Sequence, residues 1–205
     1  MSTFATDSSQ PPGSGSPIPE RDAGQKTEPA RHVSLLPAHP SGDAAPRRVN
    51  RSFVRNHPAH FIAFGGGIGL SPAAPGTAGT LATLPLFWIL NYFLAPQTLL
   101  MLVGAMFIVG VWACATTGRA LGEHDHGGMV WDEMTAFCLV LLFTPDNVVW
   151  QSFAFLLFRL FDIIKPPPIG YYDAKLRGGF GVMFDDILAA FYALLCLAAW
   201  KAFAA

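Results

Sequence analysis

Hydrophobic residues in this chain gather into long runs, and the runs set the expected elements. Residues 80–95 and 98–115 are two apolar segments separated by an uncharged Ala-Pro-Gln turn. Residues 116–133, TTGRALGEHDHGGMVWDE, are polar. Two further apolar pieces, 134–144 and 147–161, are split by Pro145–Asp146, and 187–205 closes the chain. A bilayer crossing takes about 20 apolar residues, so these runs predict membrane helices. The first is short unless its Gly/Thr-rich start also enters the interface.

The split at Pro145–Asp146 decides the topology. As one span, 134–161 would put Asp132–Glu133 and Asp162 on opposite sides of the membrane. As a helical hairpin turning at residues 144–147, it returns them to one side. Each arm would then be about 17 to 22 Å long at 1.5 Å per residue, which makes a shallow hairpin. The hairpin places every acidic residue after the N-terminal region, except Asp146, on the cytoplasmic side. Arg119, Arg159, Lys165, Lys175 and Arg177 join them there, as the positive-inside bias requires. The expected fold class is therefore all-α, a multi-pass helical membrane protein with a cytoplasmic acidic site.

The start of the chain has a different character. Residues 1 to about 50 are rich in Pro, Ser, Gly and Ala and contain no apolar run able to bury itself. This predicts a disordered N-terminal tail, set as an extension over 1–57 ahead of a membrane domain over 58–205. No apolar core of signal-peptide length lies near the start. Arg47, Arg48, Arg51 and Arg55 then form a basic cluster that marks a cytoplasmic N-terminus.

Composition sharpens the membrane reading. Hydrophobic residues make up 52% of the chain and charged residues only 13%, against roughly a quarter charged in a soluble domain. A formal net charge of −1, with no basic patch interleaved with aromatics, argues against a nucleic-acid partner. Cys114, Cys138 and Cys196 lie inside apolar runs without CxxC spacing, as buried free thiols would. Nothing in the sequence addresses oligomeric state.

The placement of charge points to chemistry. Beyond residue 60 the chain has fifteen Asp, Glu, Lys and Arg, and eight of them fall between Phe158 and Asp186. They are Arg159, Asp162, Lys165, Asp173, Lys175, Arg177, Asp185 and Asp186. Loops between membrane helices collect charge in any case, so the type of residue matters. Asp162 and Lys165 stand three apart at a helix end, and Asp185–Asp186 are expected to open the last apolar run after the GGFG turn. Asp132–Glu133 likewise precede an apolar helix. Carboxylates there can simply complement the helix dipole, worth about 0.3–1 kcal/mol. Two adjacent acidic pairs on one side instead point to a shared divalent cation, and all-oxygen sites select Mg²⁺ or Mn²⁺. The His124-Asp125-His126 triplet, with Glu123 beside it, could alternatively offer imidazoles to a transition metal, although such a pair of histidines commonly lines a wet loop.

A second element suits phosphate. Gly65, Gly66, Gly67 and Gly69 form a flexible loop stiffened by Pro72 and Pro75. Gly76, Thr77, Gly79 and Thr80 then fall just before or at the start of the next helix. Free backbone amides and threonine hydroxyls at a helix N-terminus can cradle phosphate oxygens. The loop is neither a P-loop nor a dinucleotide fingerprint.

Four blocks, taken together, resemble the phosphatidylglycerophosphatase A family. They are PGTAGTLATLP (75–85), HDHGGMVWDE (124–133), FRLFDIIKPPPI (158–169) and GGFGVMFDDILAAFYA (178–193). The resemblance covers about residues 58–205. Ala136 and Ala190 stand where the family pattern would carry Gly, which bears on helix packing more than on chemistry. The resemblance implies a Mg²⁺-dependent phosphatase of the bacterial inner membrane. Its lipid substrate would be phosphatidylglycerophosphate, hydrolysed to phosphatidylglycerol and inorganic phosphate. On that basis Asp132, Glu133, Asp162, Asp185 and Asp186 are the expected metal ligands, with Asp173 a further ligand or general base. Arg159 and Lys165 would offset phosphoryl charge, beside the Gly76, Thr77 and Thr80 cradle. Either water or an Asp carboxylate could attack.

Two other classes fit parts of the pattern. A CDP-alcohol transferase would also pair metals at a membrane surface, but its DGxxAR-type signature is absent from the sequence. A non-enzymatic cation carrier would need charges well inside the apolar runs, and those runs hold only Arg159 and Lys201, each close to a run's end.

Overall fold

Proline and small polar caps decide where the helices begin. The computed structural model describes residues 49–167 and 169–204, and among them every regular element is helical. Helix α1 (Arg51–Arg55) starts where Asn50 Oδ1 accepts from the Phe53 amide at 2.8 Å. Helix α2 (Pro58–Ala63) starts where His57 Nδ1 accepts from the Ala59 amide at 3.1 Å. A short 3₁₀ segment, Gly65–Leu70, carries the chain into α3 (Pro75–Phe93). Both α3 and α4 (Pro96–Leu121) carry Pro in the first turn, where its missing N–H costs no hydrogen bond. Helix α4 stops at Gly122, in the left-handed region that favours glycine.

The expected hairpin is present. Helix α5 (Trp131–Phe143) ends and α6 (Val148–Ile164) begins on either side of the Pro145–Asp146 turn, with Asn147 Oδ1 capping the Val149 amide at 2.8 Å. Helices α7 (Ile169–Lys175) and α8 (Gly179–Ala204) complete the described chain.

Helix α5 is the hub, packed against α3, α4, α6 and α8. Ala136, Phe137, Cys138, Val140 and Leu141 are all buried in this core, and Phe137 stacks on Phe158 of α6 at 5.5 Å. Ala136 and Ala190 are both fully buried there, so the core accommodates a methyl group at each position. Cys114, Cys138 and Cys196 are free thiols, as expected.

Helices α4 and α8 meet backbone to backbone. A Cβ on Gly179 would fall 2.0 Å from the Val111 carbonyl oxygen, so no other residue fits without parting the helices. Helix α8 thus begins eight residues ahead of its apolar run at 187.

The folded part also starts ahead of residue 58. Helix α1 lies within the stretch assigned to the tail, yet Val54 is 1% exposed and packs with Ala59, Ala63, Phe64, Ala113 and Cys114. Residues 1–48 of the expected tail lie outside the described residues.

Two helices are long and apolar enough to cross a membrane, Pro96–Leu121 and Gly179–Phe203. Large apolar side chains also face outward, including Met101 at 76%, Ile108 at 71% and Leu195 at 66% exposure. Apolar surface on this scale is rare on a soluble monomer and marks an interaction surface.

Candidate active site

Asp132 and Glu133 sit in the first turn of α5, at the centre of the helix bundle. Asp186 reaches them from α8. One carboxylate oxygen from each of the three lies within 4.8 Å of the others. Asp132 Oδ1, Glu133 Oε2 and Asp186 Oδ2 are buried, and none finds a hydrogen-bond partner among the described residues. Burying a carboxylate without a partner costs several kcal/mol, and crowding three of them adds repulsion. Such a set sheds that penalty either by taking up protons or by binding a cation, and its all-oxygen donors are of the kind that suit a hard divalent ion.

The acidic pairs do not share one explanation. Asp132 is placed to complement the α5 dipole, but Asp186 is the eighth residue of α8. The dipole effect fades beyond the first turn, so Asp186 is not a cap. The expectation that Asp185–Asp186 open a helix is corrected accordingly. Asp185 Oδ2 instead lies 2.5 Å from Lys165 Nζ and is not one of the three converging carboxylates. Lys165 ends α6 with a φ of 45°, and this left-handed turn brings it to Asp185.

Arg159 ties the remaining elements together. Its Nη1 is 2.7 Å from Asp162 Oδ2, one turn along α6, and 3.5 Å from Glu133 Oε1. The same nitrogen lies 3.4 Å from Thr80 Oγ1. Thr80 donates its own hydroxyl proton to the Gly76 carbonyl at 2.9 Å, so it braces Arg159 and has no proton left for a ligand. Arg159 Nε is buried and makes no hydrogen bond among the described residues.

Gly76 is the closest approach of the phosphate-cradle stretch to these acids. A Cβ there would lie 2.0 Å from Glu133 Oε1 and 3.1 Å from Arg159 Nη2. In the first turn of α3, the Gly76 and Thr77 amides have no helical carbonyl ahead of them. Gly79 and Thr80 lie one turn further in, inside the helix.

The sequence-predicted residues therefore separate into groups. Asp132, Glu133 and Asp186 converge, with Arg159, Asp162, Thr80 and Gly76 against them. Lys165 and Asp185 form a neighbouring ion pair. Asp173 lies on α7, which packs on α8. The histidine alternative gains no support. His126 Nδ1 accepts from the Gly128 amide at 3.0 Å, and Glu123, His124 and Asp125 are exposed outside the carboxylate group. Sequence reading missed the polar network at the other end of the molecule, where Trp88, Asn91 and Gln151 join Asp146. The available signal was Asn91 and Gln151, single amides inside apolar runs.

The geometry defines a class: an all-helical protein with two membrane-length helices and an acidic, phosphate-compatible site held among its helix ends. Comparison with known proteins is more specific. The profile of the family described as Phosphatidylglycerophosphatase A matches residues 61–201, and the chain belongs to that family. It is 40% identical over 158 residues to Phosphatidylglycerophosphatase A of Escherichia coli, covering 77% of this chain and 88% of that one. It is 45% identical over 140 residues to the Haemophilus influenzae protein of the same name, covering 68% and 86%. A Bacteroides thetaiotaomicron protein, named as a candidate phosphatidylinositol-3-phosphatase, is 42% identical over 145 residues, covering 67% and 89%. No solved structure matches.

Proposed function

We propose that this chain is a multi-pass enzyme of the bacterial inner membrane that hydrolyses phosphatidylglycerophosphate to phosphatidylglycerol and inorganic phosphate. The observation that carries the reading is the convergence of three carboxylates, Asp132 and Asp186 buried and Glu133 half-buried, beside Arg159 and the open first turn of α3. Family membership supplies the substrate class.

Asp132, Glu133 and Asp186 would hold Mg²⁺, which when bound offsets phosphoryl charge and makes coordinated water more acidic. Asp162 holds the Arg159 guanidinium toward the site. Arg159, with its unspent Nε, neutralises charge building on the phosphoryl oxygens. The Gly76 and Thr77 amides accept the phosphate against the positive end of α3. Asp185 orients Lys165 as a second cation at the site. Asp173 keeps the proposed role of further ligand or general base. The active site would face the cytoplasm.

Two measurements test this reading. Purified protein should release phosphate from phosphatidylglycerophosphate with Mg²⁺ and fall to background in EDTA. Phosphatidylinositol 3-phosphate is the competing substrate, because the relative from B. thetaiotaomicron carries that name. Faster turnover of the inositol lipid would replace the assignment. For topology, single cysteines at Ser52 and Lys175, both exposed, should resist impermeant thiol reagents in intact cells. Labelling of either from outside would overturn the cytoplasmic placement.

A further inference from the structure

The far end of the molecule carries a second polar site. Along α3, Asn91 lies fifteen residues beyond Gly76, about 22 Å away at 1.5 Å per residue. There a cavity of about 490 Å³ is lined by Trp88, Asn91, Tyr92, Asp146, Asn147, Val148 and Gln151. Its carboxylate is held in place by amides. Asn91 Nδ2 donates to Asp146 Oδ2 at 3.0 Å, and Gln151 Nε2 donates to Oδ1 at 3.3 Å. Gln151 is 3% exposed and is itself fixed by Trp88 Nε1, which donates to its Oε1 at 2.8 Å. No Lys or Arg among the described residues pairs with Asp146.

We infer that this cavity binds the ammonium group of an aminophospholipid headgroup. Two hydrogen bonds leave the Asp146 carboxylate with its charge and further lone pairs to offer an N–H donor. Trp88 and Tyr92 supply indole and phenol rings, the faces that attract cations. An anion would meet a fixed carboxylate, and an apolar ligand would strand it. The surroundings select a lipid over a soluble amine. Tyr92 and Val148 line the cavity at 83% and 67% exposure, and their chain neighbours Phe93 and Val149 are 75% and 76% exposed, an apolar surround suited to acyl chains and costly in water. The inference is independent of the activity assigned to the acidic end.

The test is retention of lipid by the full chain in detergent, read by native mass spectrometry. Phosphatidylethanolamine, its N-acetylated form and phosphatidylglycerol are offered at equal concentration, with soluble ethanolamine as a separate arm. Phosphatidylethanolamine should be retained at least tenfold better than the N-acetylated lipid, which keeps the chains and phosphate but lacks the ammonium. Asp146→Asn should abolish that preference. Equal retention of the two ethanolamine lipids by the unaltered protein would overturn the proposal without reliance on any variant. Competition by soluble ethanolamine at concentrations equal to the lipid would overturn the lipid assignment. An unchanged preference in Asp146→Asn would remove Asp146 from the site and with it the proposal.

Discussion

Asp132 and Asp146 lie on the same helical hairpin and meet opposite environments. Asp132 is 6% exposed, stands against two other carboxylates, and has an oxygen without a partner among the described residues. Asp146 is exposed, and each of its oxygens accepts a side-chain amide. The far end thus satisfies its polar groups, while the near end leaves charge unresolved. A folded chain does not keep an unpartnered buried carboxylate for stability, because removing it relieves both repulsion and desolvation. The contrast teaches that the acidic end costs the fold stability, in keeping with the metal-holding role proposed for it.

The strongest way to break this comparison is to neutralise the converging acids. Asp132→Asn and Asp186→Asn should each cut turnover by at least about 100-fold, the scale lost with one group that stabilises transition-state charge. In EDTA the same variants should melt above the unaltered protein, because each removes one of three crowded charges. Near-normal turnover would place the site elsewhere. A lowered melting temperature in EDTA would mean the acids are structural.

A smaller effect is expected at the contact between α3 and α5. Gly76→Ala adds a methyl 2.0 Å from Glu133 Oε1, which must push Glu133 and Arg159 aside. Displacements near 1 Å in an active site cost on the order of 100-fold, so a loss of about 10- to 100-fold is expected in the phosphate-release assay. An unaffected Gly76→Ala would show that the start of α3 does not approach the reacting groups. The smallest effects should come from regions remote from the acids. Lys201→Gln, in the last turn of α8, should leave turnover within about twofold. Deleting residues 2–45 should leave it within a few-fold. A tail deletion that inserts normally but is inactive would give that segment a role in catalysis.

Much of this arrangement was legible in the sequence, for identifiable reasons. The hairpin could be read because Pro145, Asp146 and Asn147 cannot extend a helix that the flanking apolar residues favour. The acids could be read because charge is so scarce beyond residue 60. Which acid faces which partner could not. Neighbouring residues on a helix point about 100° apart, so Asp185 and Asp186 must diverge. The run after them is apolar on every face and gives no phase to choose between them. The order Asp186 to the acids and Asp185 to Lys165 follows from how α8 is rotated against its neighbours, which include α4 at the close Gly179 contact. Helix α1 was hidden for another reason. Its five residues carry two arginines, and only packing onto α2 reveals Val54 as a core residue.

That Gly179 contact also constrains traffic. A phospholipid sliding sideways needs a gap at least one acyl chain wide to bring its headgroup among the helices. Where the Gly179 and Val111 backbones touch, seven residues before Asp186, no such gap exists. The seam between the two membrane-length helices is therefore closed at Gly179, about 10 Å along α8 from Asp186 at 1.5 Å per residue. A lipid phosphate bound for the proposed site would therefore have to cross this seam away from Gly179 or come round another flank of the bundle.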